Sequence, residues 1–280
     1  MQSTACAPRF SIITPSFNQG QYLEQTIRSV LEQDYPNIEY IVMDGGSTDD
    51  SVAIIRRYAD RLSYWTSTRD NGQGDAICRG FLRATGDILA YLNSDDYYLP
   101  GALASIAELY RLNPDAAILA GDTVRVRADG QPWAVARARS QSLSSMLYRG
   151  FSCGQEAMFW SRRAYDAVGG IDASLHCALD YDLIIRLRRY GTMLATRRYV
   201  AAFRSTATQK TAALGERTLQ ENNAIVSKYT GMGPLGLRIR RLLRRIDLSV
   251  RVPNWWAFRR HLSGLRSLCR FGTDLYGRVD

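Results

Sequence analysis

Apolar residues in this chain fall in short dense runs separated by polar turns, and the runs alternate between two periods. Ile88 to Leu92 is an unbroken apolar run of the length of a strand buried on both faces. Phe10 to Ile13 and Ile38 to Met43 read as strands of the same kind, and Tyr64 to Ser67 as a shorter one. Between them the spacing turns helical. Leu23, Ile27, Val30 and Leu31 mark one face of a helix over 22–33, and Val52, Ile55 and Tyr58 one face of a helix ending near Tyr58. Ile77, Phe81 and Leu82 do the same for a helix that starts at Asp75 and stops at Thr85-Gly86. Strand, helix, strand, helix is the rhythm of a parallel sheet with right-handed crossovers, so the fold class is α/β.

The pattern changes after Gly86. Asp115 to Gly121 gives one more strand, and Thr123 to Ala138 a hairpin turning at Asp129-Gly130. A polar, then apolar stretch over 137–148 carries no clear period and reads as a mobile segment. Cys153 to Trp160 reads as a strand, followed by a helix from Arg162 to Val168 that stops at Gly169-Gly170. Ala178 to Arg189 is helical, with Leu183, Ile184 and Leu187 inward. Met193 to Phe203 follows as a pair of strands and Glu216 to Tyr229 as a helix. Gly231, Gly233, Pro234 and Gly236 then form a linker.

Composition narrows the class. With 46% hydrophobic and 22% charged residues in 280, the chain has the material for a substantial core. No apolar run approaches the ~18 residues of a spanning helix, and the start, MQSTACAPRF, lacks the basic and apolar regions of a secretion signal. Five scattered cysteines without a CxxC pair argue against a disulfide framework or zinc site and favour a reducing cytosol. Two histidines, His176 and His261, give little support to a serine triad. The net charge of +9 is concentrated at one end, because residues 231–280 hold eleven arginines against three aspartates.

The candidate chemistry sits where strands end. Ile88 to Leu92 runs straight into Asn93, Ser94, Asp95 and Asp96, and ligands of open α/β sheets collect outside the carboxyl ends of strands. Two adjacent carboxylates there suit a divalent metal bridging to an anion, Mg or Mn. The plainer alternative is a turn that caps a helix opening at Pro100-Gly101. Ile38 to Met43 ends in DGGSTDD, yet Asp49 and Asp50 would place negative charge at the positive end of the next helix and repel phosphate. Neither GxGxxG nor GxxxxGK[ST] occurs, which argues against the dinucleotide and P-loop readings. Asp44 is better suited to a neutral donor such as a base or ribose hydroxyl, with glycines allowing close approach, unless it simply braces a turn capped by Ser47. Asp75 follows the turns of RDNGQGDA on the same edge. Glu156 lies within an apolar strand, where it either orients an acceptor hydroxyl or pairs with a nearby arginine. Asp180 stands at a helix start, as a cap or as something more.

Taken together, ITPSFNQGQYLEQTIRSVLEQDYPNIEYIVMDGGSTDDS, DNGQGDAI and GDILAYLNSDDYYLPGAL, in that order, resemble the family 2 glycosyltransferases with the GT-A fold. The similarity extends over roughly 10–204. It implies a mostly parallel central sheet flanked by helices and an inverting transfer of a sugar from a nucleotide-diphosphate donor to a hydroxyl. A UDP-sugar is the favoured donor, with dTDP- or GDP-sugars as alternatives. By resemblance Ser94, Asp95 and Asp96 occupy the DxD motif, serine replacing the first aspartate. Asp96 is then the metal ligand, and Asp95 touches the ribose or the metal's water shell. Pro15, Ser16, Asp44, Gly45 and Asp75 join the nucleotide-sugar site. Asp180 takes the place of the general base, with Leu179 where relatives often carry glutamate; Asp182 is the rival and the natural brace of the loop. Arg204 supports the acceptor side, and Thr206 stands where relatives often have histidine. The QxxRW motif of processive synthases is missing, which favours single addition.

The implied organisation is a catalytic domain over 1–230, divided near 121 into nucleotide-sugar and acceptor halves, and a basic extension over 231–280. In that extension Leu235, Ile239, Leu242, Leu243 and Ile246 share one helical face opposite Arg238, Arg240, Arg241, Arg244 and Arg245. Such a helix, followed by Trp255, Trp256 and Phe258, suits an anionic membrane surface over 235–260, or packing on the catalytic domain or another subunit. No stacking module accompanies the charge, so nucleic acid is not an expected partner. These features suggest a cytoplasmic enzyme on the inner face of the membrane, adding a sugar to a glycan or lipid-linked acceptor in bacterial surface polysaccharide or glycolipid assembly. The alternative is a non-catalytic nucleotide- or glycan-binding protein on a degenerate GT-A scaffold, suggested by Ser94 and Thr206.

Overall fold

The computed structural model describes residues 7–206 and 215–240. β1 (Phe10–Ser16), β2 (Ile38–Asp44), β3 (Tyr64–Ser67) and β4 (Ile88–Tyr91) lie parallel in the order β3-β2-β1-β4. The helices α1 (Gly20–Leu31), α2 (Ser51–Arg57) and α3 (Gln73–Phe81) connect them. Pairing of Ser16 with Asp44 and of Ile13 with Tyr91 brings the carboxyl ends of β1, β2 and β4 to one edge. Burial follows the two-residue strand period. Ile12 packs with Leu23, Ile27 and Ile106 on one face, while Ile13 packs with Ile77, Phe81 and Trp160 on the other. Each such side chain contributes about 1.5–3 kcal/mol when fully buried. The α3 helix approaches β1 closely because Gly80 has no Cβ, which would stand 2.5 Å from the Ile13 side chain.

The second half joins through β8 (Met158–Ser161), which runs antiparallel between β4 and β6 (Ile118–Arg127). Trp160 sits at the seam, paired with Leu89 on one side and Ile118 on the other and fully buried. Beyond β6 come the parallel β9 (Met193–Ser205) and the short β5 (Tyr97–Tyr98), while β7 (Pro132–Ala136) forms the expected hairpin with β6. The helices α4 (Ala102–Leu112), α5 (Leu143–Arg149), α6 (Arg162–Ala167), α7 (Leu179–Tyr190) and α8 (Gly215–Thr230) surround the sheet's second half.

Several expectations are corrected. Leu82 lies past the end of α3 and is 86% exposed, and Ile54 is buried where Val52 was expected to be. The stretch 193–203 is one bent strand, because register shifts beside Asp122 let β9 follow β6 over its whole length. The segment expected to be mobile contains α5, whose N-cap Ser142 hydroxyl accepts from the Ser145 amide. Glu156 lies in a 3-10 turn (Gln155–Ala157) just before β8, outside any strand.

The chain also stays on the domain past Thr230. Met232 and Leu237 pack against the core on the α7 side, and backbone over 234–240 is helical. Arg240, expected on the polar outer face, is buried and donates to the Leu147 carbonyl and the Tyr181 hydroxyl. Leu235 and Ile239 point outward, 71% and 51% exposed. Arg238 is exposed, whereas Leu242, Leu243, Ile246, Trp255, Trp256, Phe258 and the arginines from Arg241 onward lie outside the described residues.

Candidate active site

At the carboxyl edge of the sheet a cavity of about 850 Å³ opens between the two halves. Its floor is the loop that follows β4. The Asp96 amide closes a turn onto the Asn93 carbonyl (3.1 Å), and the Thr26 hydroxyl of α1 is shared between the carbonyls of Ser94 (2.9 Å) and Asp96 (2.7 Å). Gln73 at the start of α3 donates to the Asn93 side chain (2.7 Å). From β9, Arg204 donates its backbone N–H to Asp96 Oδ1 (2.9 Å), its Nε to the Asp95 carbonyl (3.0 Å) and Nη1 to the Ala128 carbonyl (2.9 Å). Its guanidinium also bonds Gln25 and lies over the Tyr22 ring (4.7 Å). Arg204 therefore acts as a brace under Asp95 and Asp96 and is itself buried. Ser94, Asp95 and Asp96 all line the cavity.

Asp96 is 1% exposed, and its second carboxylate oxygen has no hydrogen bond from the described residues. Burial, then the charges of Asp95 and Glu156, push its carboxyl well above the usual range despite the Arg204 amide. A buried carboxylate so disfavoured as an anion is an environment that a cation relieves.

Asp180, in the first turn of α7, also lines the cavity and accepts from the Tyr181 amide (2.7 Å). Desolvation raises its carboxyl above the ordinary aspartate value. Asp182 faces other work: it pairs with Arg186 (2.6 Å), whose Nη1 ties down the Val168 and Gly170 carbonyls at 2.8 and 2.6 Å. It does not line the cavity. Glu156 does, and its Oε1 is buried with no hydrogen-bond partner. The carboxylate lies over Gly154, where a Cβ would come within 2.0 Å of it. Burial dominates in raising the Glu156 carboxyl, Asp180 adds to it, and Thr123 and Arg125 oppose it. No ion pair to an arginine forms among the described residues.

Pro15, Ser16 and Gly45 line the cavity as expected, and Ser16 Oγ is buried without a partner. Asp44 and Asp75 do not. Asp44 is 2% exposed and its two oxygens are filled by the Gly46 and Ser47 amides and the Ser47 and Ser67 hydroxyls. Asp75 accepts from the Asn71 amide (3.1 Å) and faces Arg79 (3.9 Å). The cavity carboxylate on that side is Asp70, close against Gly45 and turned by its bond to the Gly72 amide (2.8 Å). Its place after β3 and before an Asn-Gly turn was the readable signal. Phe17, 61% exposed at the mouth, and Arg69, Arg125 and His176 are further lining residues that strand-end reasoning passed over.

Against known proteins, the family model described as glycosyl transferase family 2 matches residues 11–168. An uncharacterized glycosyltransferase of Mycobacterium tuberculosis is 33% identical over 187 residues, covering 64% of this chain and 69% of the relative. The chain belongs to glycosyl transferase family 2. A glycosyltransferase of this kind from Mycobacterium bovis BCG, named for PGL/p-HBAD biosynthesis, is 31% identical over 184 residues, 64% of this chain and 70% of that protein.

Solved structures carry the GT-A fold to this glycosyltransferase. TarS residues 1–349 of S. aureus, in complex with UDP-GlcNAc, superposes with a TM-score of 0.64 at 18% identity, covering 78% of this chain. This chain spans 65% of that one's length. The mannosyltransferase PcManGT of Pyrobaculum calidifontis, in complex with GDP-Man and Mn2+, gives 0.62 at 17% identity, covering 97% and 85%.

The donor set fits a hard divalent cation. Asp96 offers a carboxylate oxygen beside Asp95, and no cluster of three His, Cys, Asp or Glu exists among the described residues. Few protein oxygens completed by substrate phosphates is the habit of Mg²⁺ sites in phosphate chemistry.

Proposed function

We propose that this glycosyltransferase moves a sugar from a nucleotide-diphosphate donor to a hydroxyl acceptor in one inverting displacement. The observation that carries the reading is that Asp96 and Asp180, two carboxylates whose titration burial raises, line one and the same cavity. The nucleotide lies along Pro15, Ser16, Gly45 and Asp70, with Phe17 offering an aromatic face to the base. Asp96, steadied by Arg204, would hold Mg or Mn, and Asp95 assists on the ribose side. A metal held there would supply positive charge to offset that of the diphosphate leaving group. The acceptor oxygen attacks the anomeric carbon while the carbon–oxygen bond to the diphosphate breaks, and Asp180 takes the acceptor's proton. The raised Asp180 carboxyl makes it a stronger base near neutrality than an ordinary aspartate. Glu156 Oε1, without a protein partner, accepts from a sugar or acceptor hydroxyl.

The acceptor is a glycan or lipid-linked sugar held at an anionic membrane surface in surface polysaccharide or glycolipid assembly. Support comes from the outward-facing Leu235 and Ile239, the arginines that follow, and the glycolipid named for the M. bovis relative. No helix among the described residues is long and apolar enough to cross a membrane.

The decisive experiment is a thermal-shift panel of UDP-, dTDP- and GDP-sugars with and without Mn²⁺, followed by nucleotide release from the best donor. A donor that stabilises only with metal and is turned over supports the reading. Stabilisation without any turnover in the presence of membrane extract would favour the binding-protein alternative.

A further inference from the structure

The backbone before Asp180 is held by a residue from a different helix. α7 starts without a local cap: its N-cap is Ala178, which has no side-chain acceptor, and Leu175, His176 and Cys177 before it supply none in its place. Glu221 of α8 supplies one from 43 residues further along the chain. Its Oε2 accepts from the amides of Cys177 (2.8 Å) and Ala178 (3.0 Å), and Oε1 from that of His176 (3.2 Å). Partial burial works against the charge, but these three amides and Arg217 outweigh it and hold the Glu221 carboxyl below its ordinary value.

The grip is built into both helices. α8 is fixed to the core by the buried Ile225 and Val226, and Thr218, one turn before Glu221, lines the cavity. Residues 218, 221 and 225 form one helical stripe that faces cavity, loop and core in turn. On the gripped side, His176, Cys177, Leu179 and Asp180 all line the cavity, so slack in 176–178 reaches the carboxylate directly. Arg240 clamps the same turn from the other side through the Tyr181 hydroxyl.

We propose that Glu221 is the positioning residue for Asp180: by capping the backbone of 176–178 from α8, it fixes the first turn of α7 and aims the Asp180 carboxylate into the cavity. This rests on Asp180 being the base. Charge-assisted bonds to three amides hold the turn more tightly than a neutral acceptor, and displacement by about 1 Å can cost roughly 10² in rate.

The test uses the full-length chain, Mn²⁺ and whichever of UDP-glucose, UDP-N-acetylglucosamine, GDP-mannose or dTDP-rhamnose is stabilising. Glu221→Ala, Glu221→Gln, Arg217→Ala and Asp180→Asn are compared for nucleotide Kd, nucleotide release and amide hydrogen exchange. Glu221→Ala is expected to speed exchange at 176–178 and to cut nucleotide release by about 10²-fold, with Kd within about twofold. Glu221→Gln keeps one acceptor and the shape, and so recovers about tenfold of that loss. Arg217→Ala, which leaves the three amide bonds in place, keeps exchange at 176–178 slow. Equal losses of Kd and release, or unaltered exchange at 176–178, would overturn the proposal. Turnover retained in Asp180→Asn would overturn it too, through the base reading, and the faster exchange in Glu221→Ala would then mark a cap without a catalytic purpose.

Discussion

The backbone N–H of Arg204 points at Asp96 Oδ1 from 2.9 Å, linking the end of β9 to a carboxylate 108 residues earlier. A backbone donor leaves the guanidinium to hold the Asp95 and Ala128 carbonyls, so one residue fixes both the Asp96 carboxylate and the loop that carries it. Asp96→Ala should abolish the metal-dependent part of nucleotide binding, read by calorimetry with and without chelator. Arg204→Lys retains charge and the backbone contact but cannot reach both carbonyls with a planar fork. It is expected to lower stability by about 1–3 kcal/mol and to weaken metal-dependent binding without eliminating it. Full activity of Asp96→Ala in chelator would refute the metal role.

Asp180 gives a pH dependence of definite sign. Burial raises its carboxyl, and a base must be unprotonated to work, so activity should fall on the acid side. The limb should lie above the ~4 of a free aspartate, with a tenfold loss per pH unit below it. Asp180→Asn should remove this limb and reduce turnover by about 10²–10⁴-fold, with nucleotide affinity preserved. Rate profiles at saturating donor check both outcomes. A limb unchanged in Asp180→Asn would assign the base elsewhere.

Glu156 depends on a glycine. A Cβ on Gly154 would sit 2.0 Å from Oε1 and 2.2 Å from Oε2, a separation no packed structure tolerates. Gly154→Ala must therefore swing the carboxylate away, and a loss of turnover with little change in melting temperature is expected. Glu156→Gln keeps the shape and one acceptor and should lose less. Gly154→Ala with normal turnover would remove Glu156 from the reaction.

Much of this was readable in the chain because the α/β half is dictated by local pattern. Ile12 and Ile13 had to face opposite sides of a sheet, and the run 88–92 had to end where its polar residues begin. What the pattern could not show was the fate of individual carboxylates. Asp44 ends β2 and Asp70 follows β3, yet Asp44 is consumed by Ser47 and Ser67 while Asp70 reaches the cavity. Ser47 is a local partner three residues on, legible in the chain, but Ser67 reaches Asp44 only because β3 pairs with β2. The same holds for Glu221 and Arg240, whose partners lie dozens of residues away. Glu156 was misplaced for a simpler reason: an apolar run does not separate a strand from a 3-10 turn leading into one.

The exposed stripe of the C-terminal segment gives the last prediction. Leu235 and Ile239 are turned away from the domain, and the sequence continues their spacing at Leu242 and Ile246 beside Arg241, Arg244 and Arg245. Arg240 belongs to the other side, where it is buried against Leu147 and Tyr181. Truncation at residue 231 would therefore cut into the folded domain, removing Met232, Leu237 and Arg240 with the rest. A chain ending after Arg240 is the cleaner variant. It should keep its melting temperature and lose binding to phosphatidylglycerol vesicles, since each arginine near such a surface contributes about 1 kcal/mol. Replacing Leu235 and Ile239 together with serine should weaken sedimentation with vesicles but not folding, whereas Arg240→Ala should destabilise the domain at equal lipid affinity. Binding by the intact chain should also decline steeply with salt, as charge screening requires. Vesicle binding that survives both truncation and high salt would place the membrane contact elsewhere on the protein.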